Sequence, residues 1–261
     1  MKMRTISALV ALPLLIFVLI KGGTLLFFAA YLLSIIGQYE FYKVFSKKYH
    51  VLNWAGYFMT TAWFGGLYKD MPEDYYTFLI AAFLFLLLTV TMLHKKNILM
   101  GSMVTFVGFF YIAFSLSHII MIWKLDSNFF IWYPFIIAFI TDTFAYFTGK
   151  LIGSTPLIPL VSPKKTVEGS LGGVIACLIF SYLYAGIFNS DFQLYAVFLG
   201  LIGSILSQVG DLIASKIKRI FNIKDFGKIM PGHGGVLDRF DSILITMPLV
   251  YYFIVIFNYL I

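Results

Sequence analysis

Nine stretches of this chain, near 5–20, 24–42, 51–67, 75–93, 98–122, 129–148, 169–188, 192–213 and 242–261, are apolar over lengths close to the ~20 residues that a bilayer core requires. Lipid offers no hydrogen-bond partner to a bare backbone, so such stretches are confined to helices that satisfy their own N–H and C=O groups. Apolar residues make up 61% of the chain and charged residues 12%, against about 45–50% and about 25% in an ordinary soluble domain. A single soluble core could not bury them, and most must face lipid. The expectation is an all-α, polytopic integral membrane protein of about nine transmembrane helices. About five lie in residues 1–128; about four lie in 129–261, with polar loops at 149–168 and 214–241. The first stretch, behind Lys2 and Arg4, has the outline of a signal peptide. No A-x-A-like site follows it, and Lys21-Gly22-Gly23 leads into another apolar run, so a retained helix is expected.

The net charge of +7 would suggest nucleic acid in a soluble chain; in this one a cytoplasmic membrane surface explains it and no nucleic-acid partner is expected. With the amino terminus inside, the inner segments carry Lys2 and Arg4; Lys43, Lys47 and Lys48; Lys95 and Lys96; Lys150, Lys164 and Lys165; and Lys216, Lys218, Arg219, Lys224, Lys228 and Arg239. That is 16 of the 19 cations, with Lys21, Lys69 and Lys124 outside. Short cytoplasmic loops retain positive charge, so the amino terminus is expected inside and the carboxyl terminus outside. The lone Cys177, in an apolar run, excludes a disulfide framework and is expected to pack.

Ten of the 31 charges fall between Asp211 and Asp241, six of them cations and four aspartates. A solvated basic loop would explain the lysines but not the aspartates. Ser204, Gln208 and Asp211 lie at i, i+4 and i+7, a polar stripe on an otherwise apolar helix that Asp211 is expected to close, and such a stripe must face protein or water. Gly200, Gly203, Ser204, Ser207 and Gly210 allow a neighbouring backbone to come close. Asp142, near the end of the sixth span, is an ionisable group inside an apolar helix and hence a candidate site residue. Glu40 reads as an interfacial ion pair with Lys43 at i, i+3, and His118 as a packing histidine. Asp238 and Asp241 share one face where the ninth helix should begin. Before them, Gly232-His233-Gly234-Gly235 can curl its amides around an anion. Carboxylates beside an anion site imply a divalent cation, and Mg²⁺ commonly uses one or two carboxylates plus substrate phosphates.

The segment Ser215-x-Ile217-Lys218-Arg219, then Lys224-Asp225-x-Gly227-Lys228-Ile229-Met230-Pro231-Gly232-His233-Gly234-Gly235-x-x-Asp238-Arg239-x-Asp241, resembles the carboxyl-terminal motif of phosphatidate cytidylyltransferases, the CDP-diacylglycerol synthases of bacterial membranes. Asp142, the run Ser162-Pro163-Lys164-Lys165-Thr166-x-Glu168-Gly169 and Gln208-x-Gly210-Asp211 resemble the same family in the same order. The resemblance implies transfer from CTP to phosphatidic acid, with pyrophosphate released, in a multi-pass protein of a bacterial cell membrane. It further implies Mg²⁺ held by Asp211 and Asp238, with Asp241 as a further ligand, and leaves room for a second, monovalent cation. Lys218, Arg219 and Lys224 would neutralise the triphosphate, with Asp225, His233 and Arg239 in the catalytic set and His233 a donor or loop organiser. Asp142, Ser162, Lys164, Lys165, Thr166, Glu168, Gln208, Gly232, Gly234 and Gly235 would bind substrate. A homodimer is left open.

Two rival readings remain at this stage: a CTP-dependent enzyme acting on another lipid, such as an isoprenoid cytidylyltransferase or a polyprenol kinase, and an ion-coupled transporter. The carboxylates near one end of their helices, and the charges gathered outside the spans, favour an enzyme over a transporter with a midplane site. The orientation is testable by cysteine accessibility in a Cys177→Ser background. A cysteine at Ser162 or Asn222 should react with a membrane-impermeant thiol reagent only after the inner face is opened, and labelling of intact cells would overturn it.

Overall fold

The computed structural model describes residues 2–125, 129–229 and 234–258, with side chains from residue 11 to residue 257 among them. Each of the nine apolar stretches holds a helix within its described residues, the ninth stretch running beyond them at 259–261: α1 (Lys2–Lys21), α2 (Gly23–Phe45), α3 (Asn53–Tyr68), α4 (Glu73–Leu93), α5 (Leu99–Gly108) continued by a π-turn (Phe109–Phe114) into α6 (Ser115–Leu125), α7 (Tyr133–Ile152), α8 (Val167–Phe188), α9 (Gln193–Ile220) and α10 (Leu237–Asn258). The chain is thus an all-α polytopic membrane protein. Among the described residues seven helical rods are long and apolar enough to cross a bilayer, the π-turn joining α5 and α6 into one of them. Those that fall short are α3, at 16 residues, and α1, whose described apolar part is Ala11–Lys21.

Both polar loops hold more structure than expected. Residues 149–168 contain the last turn of α7 and an antiparallel pair, β1 (Pro156–Ile158) and β2 (Ser162–Thr166), before α8 begins. Residues 214–220 are helical, so Asp211 stands inside α9 rather than at its end. The 28 residues of α9 span about 42 Å, longer than the ~30 Å hydrocarbon core. Its surplus turns carry Lys216, Lys218 and Arg219, cations that suit the negative end of a helix.

The chain folds as two units, one of Met1–Ile120 with Asp225–Asp238, the other of Met121–Lys224 with Arg239–Ile261. The return of 225–238 to the amino-terminal unit has no counterpart in the simple division at residue 128. In the first unit the interior is aromatic but threaded by polar groups. Thr60 Oγ1 donates to Gln38 Oε1 at 2.9 Å, Gln38 Nε2 to the Tyr42 hydroxyl at 3.4 Å, Tyr42 OH to the Thr105 carbonyl at 3.0 Å, and the Leu52 amide to Thr105 Oγ1 at 2.9 Å. Gly56 and Gly108 flank the Tyr42 ring so closely that a Cβ at either would overlap it. His118 is fully buried, with Nδ1 2.7 Å from the Phe114 carbonyl, as a packing histidine should be.

In the second unit α7 and α8 meet backbone to backbone. A Cβ on Gly169 would lie 2.6 Å from the Ala145 carbonyl, and one on Gly173 2.7 Å from the Thr141 carbonyl. Thr141, Ala145 and Gly149 on one helix and Gly169 and Gly173 on the other form a small-residue seam, the device that lets helices approach where no hydrophobic force acts between them. Buried Cys177 packs here and contacts Ser181 at 3.9 Å. Tyr42→Phe should lower stability by about 1 kcal/mol through the lost bond to Thr105, whereas Gly108→Ala must displace the ring and should cost about 1–3 kcal/mol. Detergent melting curves of the two variants will give that order if the ring is fixed as described.

Candidate active site

Four elements of the second unit bring charge together. α7 supplies Asp142, β2 supplies Lys165, α9 supplies Asp211 and Lys218, and α10 supplies Asp241 and Ser242. Lys165 Nζ forms an ion pair with Asp211 Oδ2. Ser242 Oγ donates to Asp142 Oδ2 at 3.1 Å, and the Ser242 amide to Asp241 Oδ1 at 2.9 Å. Asp241, only 9% exposed, lies in the field of Asp211, Asp142 and Lys218; Asp142 lies in that of Lys165 and Asp211. Gly210 makes this closeness possible, because a Cβ there would sit 2.6 Å from the Asp241 carbonyl oxygen. The polar stripe of α9 does face protein: Ser204 is buried, and Gln208 Nε2 is 3.4 Å from the Ser170 carbonyl of α8.

Three carboxylates stand against two ammonium groups, with Asp241 buried, Asp211, Lys165 and Lys218 half-buried and Asp142 exposed. Among the described residues no three His, Cys, Asp or Glu side chains converge as a self-sufficient metal centre. A hard cation would therefore take one or two carboxylates and complete its shell from phosphate and water oxygens, which is the habit of Mg²⁺. The residues present fit that role.

The hairpin beside this cluster is held by residues expected to bind substrate. Thr166 caps α8, its Oγ1 accepting from the Gly169 amide at 3.1 Å. Glu168 Oε1 accepts from Ser154 Oγ at 2.8 Å and from the Thr155 amide at 3.1 Å, and its Oε2 from the Ser154 amide at 3.1 Å. Arg219 Nε donates to the Val161 carbonyl at 3.2 Å, tying the end of α9 to the turn. Ser162 lies on β2 with Lys164, which is exposed, and Lys165, which is half-buried.

The glycine-rich segment lies in the first unit. The amides of Phe226 and Gly235 donate to Asp238 Oδ2 at 2.8 and 2.9 Å. Gly234 has φ +88°, where a side chain would be strained, and a Cβ there would meet Asp238 Oδ2 at 2.8 Å. Gly232 and His233 lie outside the described residues. Lys224 and Asp225 are exposed on the connection after α9, and Arg239 is exposed in the first turn of α10. Glu40 differs from its expected role. It is 2% exposed, and its two oxygens accept from the Val236 and Leu237 amides at 3.1 and 3.0 Å, so its partners are the start of α10 rather than Lys43. Nothing local in the sequence marks a partner 196 residues away.

Residues 2–257 match the model of the cytidylyltransferase family. The chain belongs to that family. The enzyme is therefore a nucleotidyltransferase. It is 36% identical to the phosphatidate cytidylyltransferase of Staphylococcus haemolyticus, over 95% of this chain and 97% of that one. The corresponding proteins of Staphylococcus saprophyticus and Staphylococcus aureus are 34% and 33% identical, again over 95% of the enzyme and 97% of each relative.

If Glu168 anchors the hairpin, Glu168→Ala frees three donors at Ser154 and Thr155. Trypsin should then cut after Lys164 or Lys165 several-fold faster in detergent, with the helical spectrum unchanged. An unaltered cleavage rate would remove Glu168 as the anchor.

Proposed function

We propose that this enzyme transfers the cytidylyl group of CTP to phosphatidic acid, giving CDP-diacylglycerol and pyrophosphate, at the cytoplasmic face of a bacterial cell membrane. The observation that carries the reading is the cluster of Asp142, Asp211 and Asp241 with Lys165 and Lys218, drawn together from α7, β2, α9 and α10. The names of the relatives agree with it. The 16 to 3 division of cations supports a cytoplasmic position for this cluster, with the amino terminus inside and the carboxyl terminus outside. CTP arrives there from solution, and phosphatidic acid offers its headgroup from the leaflet.

In the reaction an oxygen of the lipid phosphate attacks the α-phosphorus of CTP. A new P–O–P link forms, the bond from the α-phosphorus to its bridging oxygen breaks, and the electron pair leaves with pyrophosphate. A phosphate monoester, with a second pKa near 6, is already anionic at neutral pH. No strong general base is required; positioning and neutralisation of charge suffice. Lys218 and Lys224, with the outer guanidinium nitrogens of Arg219, would neutralise the triphosphate and the leaving group. Lys165, paired with Asp211 without substrate, would turn to a phosphate oxygen when one is present. Asp211 and Asp241 would hold Mg²⁺, which when bound neutralises phosphate charge and polarises the α-phosphoryl group. Asp238 commits Oδ2 to two backbone amides, so we assign it first to shaping the glycine-rich segment.

Detergent-purified enzyme should release pyrophosphate from CTP when phosphatidic acid is present and not without it. Release with a polyprenol substrate alone would move the enzyme to another lipid. Asp211→Asn and Asp241→Asn keep size but remove the charge that a hard cation prefers. Each should nearly abolish turnover, shift the Mg²⁺ requirement to higher concentration and change the melting temperature little. A wild-type Mg²⁺ profile with substantial residual turnover in both would remove the metal assignment.

A further inference from the structure

The first backbone amides of a helix have no partner within it and must find acceptors elsewhere. At the start of α10 three successive amides are met by two carboxylates: Gly235 by Asp238, Val236 and Leu237 by Glu40. Asp238 is local. Glu40 comes from α2 and lies buried, at 2% exposure, with one amide on each oxygen. Two glycines close around it: a Cβ at Gly227 or at Gly235 would collide with the Glu40 carboxylate. A buried acid that fills both oxygens with amides of one turn, between two positions where no side chain fits, determines where that turn begins.

We propose that Glu40 is a positioning residue for catalysis: it sets the start of α10, and with it the placement of Gly234, Gly235 and Asp238, without touching substrate. This rests on the reading of the reaction given above. Glu40→Gln keeps the length but presents an amide NH₂ to one of the two N–H donors. Gly227→Ala perturbs the same carboxylate from the other side.

Both variants should lower kcat about 10- to 100-fold per folded enzyme, the scale of one lost charged hydrogen bond, with KM for phosphatidic acid unchanged within about twofold. Ser117→Val serves as a control, since it removes the 3.0 Å bond from Trp63 Nε1 within the same unit. It should lower the melting temperature but leave kcat and KM of the folded fraction as in wild type. If Glu40→Gln behaves like Ser117→Val, Glu40 is structural only and the proposal fails; if Glu40→Gln does not fold, Gly227→Ala decides by the same criterion. Should wild-type enzyme release no pyrophosphate from CTP and phosphatidic acid, the reading of the reaction fails. Amide exchange then tests the positioning: faster exchange confined to residues 234–238 in Glu40→Gln supports it, and unchanged exchange there overturns it.

Discussion

A carboxylate inside a bundle of apolar helices is tolerated only when something replaces the water it has lost. Much of this molecule is arranged around that constraint. Glu40 and Asp238 are answered by backbone amides, Asp142 by the Ser242 hydroxyl, and Asp211 by the Lys165 ammonium. Asp241 has the amide of the residue after it. The acids divide into two kinds. Those answered by amides hold backbone in place. Those that share a field with lysines are the ones we propose to meet the incoming ligand.

Bringing such groups together needs close backbones, and small residues supply them. The Thr141, Ala145 and Gly149 row against Gly169 and Gly173 joins α7 to α8, and Gly210 admits the Asp241 carbonyl. In lipid, packing of this sort replaces the hydrophobic force that would drive soluble helices together. The hairpin has no core of its own to hold it. Its strands are short and proline-bearing, and it depends on Glu168 and Arg219 to fix its ends.

The helices are legible in the sequence because an apolar run of bilayer length has few alternatives, Asp142 because an acid in such a run is conspicuous, Asp211 because it ends a polar stripe, and Asp241 because it pairs with Asp238 where a helix should begin. The continuation of α9 past Asp211 is hidden by Lys216, Lys218 and Arg219, whose charge reads as loop although cations suit a helix carboxyl end. The strands around Pro159 and Pro163 are too short to show alternation. For Glu40 the sequence offers Lys43 as a nearer partner; its acceptor role depends on a contact that no periodicity encodes. Ser242 carries no signal beyond its place beside Asp241. The α7 and α8 seam shows in the sequence only as scattered small residues, which gain meaning once both helices are paired.

If the charge cluster is the centre of phosphoryl transfer, Lys165 and Asp211 act in it as one unit. A double-mutant cycle on kcat/KM tests this directly, using Lys165→Met, Asp211→Asn and the double variant. Residues that serve the same step lose less together than the sum of their separate losses. The double variant should be no slower than the worse of the two single variants. Losses that add in full would mean that the two side chains work independently, and would contradict the charge cluster as the centre of the reaction.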